Sequence, residues 1–297
     1  MRRLKGRIVV RLVGDDRASF LHGMCTADIG KAKAGDLLRA LFLTEHAHLI
    51  ADFVAWIEPK SILIEVDARL WSRARSQLES LLVADDVEFE ETGLEAISIA
   101  GPRAAEAAGA IVADVPSDSH FTASGGVLAG RLQRFGAPSV TILAPGARAQ
   151  EFVAQALATG CAEVTESAAE IVRIEQGIAQ VGVDTNEKTI ALEAGFRDAI
   201  SFEKGCYVGQ ETLERVTARG GLHKKLLGLT FRNALPDPDA ALTLAEKEMG
   251  RATSVGLSPR FGAIGLAILH QSAWAEGTEL EVGGGGRAVV TGLPFHP

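Results

Sequence analysis

The chain has 297 residues, 47% of them hydrophobic and 23% charged, the composition of an ordinary globular protein long enough for two domains. A formal net charge of -8 argues against a general nucleic-acid or anionic-membrane binder, because such partners reward surplus lysine and arginine. The three cysteines, Cys25, Cys161 and Cys206, fit neither a disulfide framework nor a Cys-x-x-Cys zinc pair.

The start, Met1-Arg2-Arg3-Leu4-Lys5, is basic, but Arg11, Asp15 and Asp16 follow too soon for the apolar core of a secretion signal. No stretch approaches the roughly 20 uninterrupted apolar residues that span a bilayer, so a reducing cytoplasm is the expected compartment. His46 and His48 share one face of a strand, but no third ligand stands at a recognisable spacing. Surface histidines and no bound metal are expected there.

Residues 61–66 (SILIEV) read as a strand. Residues 68–82 then set Leu70, Trp71, Ala74, Leu78, Leu81 and Leu82 at helical spacing, and Val87-Glu88-Phe89 returns as a short strand. Roughly 78 positions later the theme recurs. Val140–Leu143 reads as a strand, 147–158 as a helix through Phe152, Val153 and Leu157, and Ala162–Val164 as strand-like. A repeated strand–helix–strand theme suggests two related α+β halves.

Further on, Ile171, Ile174 and Ile178 form the inward stripe of a helix on which Glu175 is either an exposed charge or part of a site. Asp184 opens Asp184-Thr185-Asn186, a sequence suited to capping a turn. The densest concentration of usable chemistry is Lys204-Gly205-Cys206-Tyr207-Val208-Gly209-Gln210-Glu211. Two glycines suggest a tight bend, and Lys204, Arg215 and Arg219 are cations able to favour the thiolate of Cys206. The bland alternative is a small buried cysteine in a bend. Tyr207, the single tyrosine, either stacks on a ligand ring or packs over the bend. Arg215 and Arg219, with Lys224 and Lys225, either meet an anionic partner or form a solvated face.

After residue 221 short strands alternate with Gly, Pro and Asp turns: 226–231, 249–257, 262–269, 279–282 and 288–290, with a helical turn at 238–246. Gly283–Gly286 reads as a hairpin loop, and no Walker or dinucleotide glycine pattern is present. The expected division is 1–221, an α+β part, and 222–297, an antiparallel β-barrel.

The run KGCYVGQE, followed by Arg215 and Arg219-Gly220, resembles the signature of the YgfZ-type folate-binding proteins. These are relatives of the glycine-cleavage T-protein (aminomethyltransferase) that assist maturation or repair of iron–sulfur enzymes and are associated with tRNA modification. The resemblance extends along the chain through Gly14-Asp15-Asp16, Phe20-Leu21, Thr26-Ala27-Asp28 and Arg173-Ile174-Glu175-Gln176-Gly177. It implies a folate-binding unit of two ferredoxin-like subdomains followed by an antiparallel barrel, with tetrahydrofolate as the ligand.

Asp184 in Val181-Gly182-Val183-Asp184 aligns with the family's pterin-binding carboxylate, one methylene shorter. One carboxylate can accept the side-by-side amino and ring N–H donors of a pterin. Asp52 falls where the T-protein has an Asp-Asp pair, but Ala51 occupies the first position, which puts aminomethyl transfer in doubt. Ala47-His48-Leu49 likewise replaces a Gly-rich turn of many relatives.

The candidate folate-binding set is therefore Asp184, Asp52, Glu175, Tyr207, Arg215 and Lys204, with Cys206 as the redox or transient cluster-ligating thiol. A cluster normally takes four protein ligands, so Cys206 alone holds none. The expected function is that of an accessory factor for iron–sulfur enzymes: a monomer whose partners are assembly or client proteins, with any effect on tRNA indirect. The alternatives are a tetrahydrofolate-dependent aminomethyltransferase or other one-carbon transferase, and a scaffold that has lost its ligand.

Overall fold

The computed structural model describes residues 1–296 apart from 113, 135, 219–220 and 233–234. The chain divides into two units, the first made of 1–44, 50–165 and 198–208 and the second of 45–49, 166–197 and 209–297.

The first unit begins with β1 (Arg2–Arg3), β2 (Arg7–Val13), α1 (Arg17–Met24), β3 (Leu37–Leu43), β4 (Leu49–Ile57), β5 (Ile62–Asp67), α2 (Ala68–Leu81) and β6 (Glu88–Glu91). It continues with β7 (Leu94–Ala100), α3 (Ala104–Gly109), β8 (Phe121–Ser124), β9 (Val127–Arg131), β10 (Ser139–Pro145) and α4 (Gly146–Ala158). One sheet has the order β3-β4-β5-β2-β6. Without the added β3, this is the strand order of a ferredoxin-like β-α-β-β-α-β unit. Asp67 starts α2 by accepting a hydrogen bond from Arg69 N (2.8 Å), and Trp71, Ala74 and Leu78 bury its inner stripe.

The other sheet has the order β1-β7-β10-β9-β8, with α3 and α4 on one face. Here the expected strand at Ala162–Val164 does not form. The edge of β7 that it would pair with is taken by β1, which sets Arg2 opposite Ser98 and Arg3 opposite Ile97. The 162–164 segment instead exchanges hydrogen bonds with Met1, at 2.8 Å and 2.9 Å.

Parity along the strands builds three cores. Phe53, Ile62 and Ile64 face α1 and α2, and Ile97, Val140 and Ile142 face α3 and α4. Between the sheets lie Val9, Val54, Trp56 and Leu63 from one and Ala96, Leu128 and Leu143 from the other. Glu65 shares the parity of Leu63 and so points into this middle layer.

The second unit holds α5 (Glu166–Glu175), α6 (Gln210–Ala218), β11 (Lys224–Arg232), β12 (Ala240–Leu244), β13 (Lys247–Ala252), β14 (Ser254–Ser258), β15 (Gly262–His270), β16 (Glu279–Val282) and β17 (Arg287–Thr291). Its sheet order is β13-β12-β16-β17-β11-β15-β14. The antiparallel sheet curls into a half-barrel: a Cβ added at Gly250 of β13 would stand 2.5 Å from the Ile268 carbonyl oxygen of β15.

The helical turn expected at 238–246 is strand β12 and a turn. Leu242 is fully buried, and Ala245 and Glu246 both take positive φ (48° and 63°), the backbone of a tight hairpin connection to β13. The single strand expected over 249–257 is two strands, broken at Thr253. Helix α5 packs on β14 and β15 through Ile174, Ile264 and Leu266. Gly256 permits this approach, since a Cβ there would meet Ile171 Cδ1 at 2.3 Å. Among the described residues no helix is long and apolar enough to cross a membrane.

Candidate functional site

The last carbonyls of a helix have no partner within it. At the end of α1 Lys204 takes one of them together with two carbonyls just beyond the helix: its Nζ donates to the carbonyl oxygens of His22, Cys25 (2.8 Å) and Ala27 (2.9 Å). All three ammonium donors are thus used, and a cation at this end suits the helix dipole. Burial holds Lys204 below the usual lysine range, with Cys25 and Asp28 pulling the other way. The ammonium also lies 4.9 Å over the Tyr207 ring. Val208 N donates to Gly23 O (3.1 Å) and Ser201 N to Thr26 O (2.9 Å), so the segment is held on the α1 end along its length.

The outcome is a thiol on a pedestal. Lys204 is 7% exposed and Tyr207 8%, while Cys206 between them is exposed. The reading of Cys206 as a small buried cysteine does not hold. That description fits Cys25, which is 1% exposed and whose pKa burial pushes up to about 11. Replacing Lys204 with methionine keeps the stem and removes all three hydrogen bonds. The expected loss is about 2–4 kcal/mol, read as a lower urea midpoint at unchanged slope.

Asp184 is 2% exposed, and its carboxylate is fully engaged. Oδ2 accepts from Arg173 Nη1 (2.6 Å) and Gln180 N (2.9 Å), and Oδ1 from the hydroxyls of Thr253 (2.5 Å) and Ser254 (2.6 Å). Arg173 also binds Glu170, the Ile178 carbonyl and Ser254. Glu175, at the end of α5, is buried rather than exposed and accepts from Ser258 Oγ (2.6 Å). Both carboxylates tie α5 and its following turns to β14 within the second unit.

Asp52 lies in the first unit, its side chain about one-third exposed, with Arg7 Nη1 at 3.4 Å from Oδ2. Arg7 is itself held by the Glu65 backbone carbonyl (2.7 Å), and its Nε stands 2.9 Å from Glu65 Oε1. Glu65 is fully buried and takes Arg134 Nη2 on both oxygens, at 2.7 Å and 2.6 Å. A chain of alternating charges thus runs from the middle layer to the partly exposed Asp52. The sequence gives no role to Arg7, Glu65 or Arg134, and offers Arg173 only as part of a family run. The available signal was Glu65 itself, a lone charge at a buried parity in the apolar run SILIEV.

Arg215 is exposed on α6 and pairs with Glu211 at 2.7 Å, while Arg219 lies outside the described residues. His46 is exposed, with its ring 6.0 Å from that of His48. Among the described residues no three His, Cys, Asp or Glu side chains group as a metal site.

Residues 224–296 match the family model of the glycine cleavage T-protein C-terminal barrel domain. A chloroplastic protein of Arabidopsis thaliana carrying a provisional transferase name is 28% identical over 97% of this chain and 70% of its own. The aminomethyltransferase of Listeria welshimeri is 29% identical over 94% of this chain and 80% of its own. These matches support the glycine-cleavage T-protein superfamily. The crystal structure of the glycine cleavage system aminomethyltransferase T from Bartonella henselae matches with a TM-score of 0.88, over 99% of this chain and 85% of that one. At 19% identity this likeness shows the T-protein fold.

Proposed function

We propose that this T-protein-like chain binds tetrahydrofolate or a close relative and uses Cys206 as a redox-active thiol in the upkeep of iron–sulfur enzymes, as the YgfZ-type proteins do. The observation that carries this reading is the exposed Cys206 between a buried Lys204 and a buried Tyr207. A thiol exposed on a fixed base meets a partner without first unfolding its surroundings, which a buried cysteine cannot do. Folate binding follows the superfamily. Within the candidate folate set, Asp52 keeps an accessible carboxylate. Asp184, Glu175 and Lys204 have partners that make them the frame of their units, and Tyr207 covers Lys204. The proposed functional division remains 1–221 and 222–297, and a reducing compartment suits a free thiol.

Cys206→Ser tests the thiol assignment. In cells lacking the native gene, the variant should leave a solvent-exposed [4Fe–4S] dehydratase several-fold less active than wild type does under oxidative stress, at an unchanged melting temperature. Equal rescue by variant and wild type would end that assignment. The aminomethyltransferase names of the relatives favour a second reading, in which the chain releases ammonia and methylenetetrahydrofolate from an aminomethyl-loaded carrier and tetrahydrofolate. With Ala51 in place of the first carboxylate of the family's pair, no turnover is expected with authentic carrier.

A further inference from the structure

We propose that His22 is a positioning residue of the thiol loop: its Nε2–H is the hydrogen-bond donor for the Cys206 sulfur or for an anionic group that the sulfur carries. This rests on the reading of Cys206 as the working thiol.

Three observations place His22 beside the thiol loop. Its carbonyl oxygen accepts one of the Lys204 hydrogen bonds, so the residue is part of the platform on which the loop stands. Its Nδ1 accepts from Gly30 N at 3.0 Å, which leaves the proton of the neutral ring on Nε2. And Nε2 faces the loop: a Cβ built on Gly205, the residue before Cys206, would lie 3.9 Å from it. The charged groups around the ring are Lys204, Asp28 and Lys31, with Asp28 Oδ1 at 3.5 Å on the Nδ1 side. Burial, then Lys204, hold His22 below the usual histidine range, so the ring is neutral near pH 7 and keeps the Nε2–H form.

A donor aimed at a thiolate or sulfenate makes a charge-assisted hydrogen bond. Such a bond steadies the negative charge that the sulfur still carries in the transition state of its alkylation, a net gain of about threefold in rate.

The test is carbamidomethylation of Cys206 in the full chain at one fixed neutral pH, followed by mass spectrometry of its peptide, in wild type, His22→Gln and His22→Asn. Asparagine can keep the acceptor for Gly30 but does not reach the loop; glutamine reaches the loop but gives up Gly30. The inference predicts a loss of about threefold in His22→Asn and a rate close to wild type in His22→Gln. A normal rate in His22→Asn, or equal slowing in both variants, would overturn it. Nitrogen NMR of the wild-type ring is a second measurement that needs no variant to fold: a neutral ring protonated on Nδ1 would contradict the assignment. Neither experiment involves folate or an iron–sulfur client, so failure here is distinct from failure of the proposed function.

Discussion

Glu65→Ala lowers stability by about 3–5 kcal/mol, the largest single-residue effect expected in the first unit. The carboxylate is fully buried and neutralises two arginines, Arg134 through both oxygens and Arg7 through Nε. Removing it leaves Arg134 in the layer between the sheets with the Thr141 hydroxyl (2.9 Å) but no carboxylate, while Arg7 keeps the residue-65 carbonyl and the partly exposed Asp52. Glu65→Gln keeps the volume and loses the charge, and should fall between alanine and wild type. Urea unfolding of the three proteins, with slopes compared, measures this directly. If Glu65→Ala unfolds within about 1 kcal/mol of wild type, the network is not the keystone described.

The second large effect is Asp184→Ala, about 3 kcal/mol. It sits at the lower end of the range for a broken buried pair because Arg173 retains Glu170, which reaches solvent. Asp184→Asn should be nearly as costly. It can still accept from Thr253 and Ser254, but its amide N–H₂ turns donors toward Arg173 and the Gln180 N–H. The loss should appear without any folate present, because the four bonds to Asp184 are intramolecular. A variant as stable as wild type that binds folate poorly would instead return Asp184 to the role of pterin contact.

These two residues mark the limit of what the sequence discloses. Periodicity finds elements whose pattern is complete within a few turns: the strand at 61–66 and the helix after it stand where alternation and the Trp71, Ala74, Leu78 spacing put them. It fails at 238–246, where Ala, Leu and Glu favour a helix locally but burial of Leu242 and the two positive-φ residues after Leu244 impose a hairpin. It also fails at Ala162–Val164, because the competitor for that sheet edge, Arg2–Arg3, lies at the other end of the unit's sequence.

The same distinction holds for the site. Cys206 stands out in the sequence because usable chemistry is concentrated in eight neighbouring residues, and the fold leaves it exposed. Asp184 invites a ligand role in the sequence because its partners Thr253 and Ser254 lie 69 and 70 positions away. Arg134 stands 69 positions from Glu65 in the same manner. Lys204 joins both cases: it reads as a neighbour of the thiol, and folding spends it on the carbonyls at and just beyond the end of α1.

Anaerobic calorimetric titration of tetrahydrofolate into the wild type and Cys206→Ser tests most directly the proposal that the chain binds folate independently of its exposed thiol. Saturable binding of similar affinity by both proteins is the expected result. Absence of binding to correctly folded wild type would contradict the proposal.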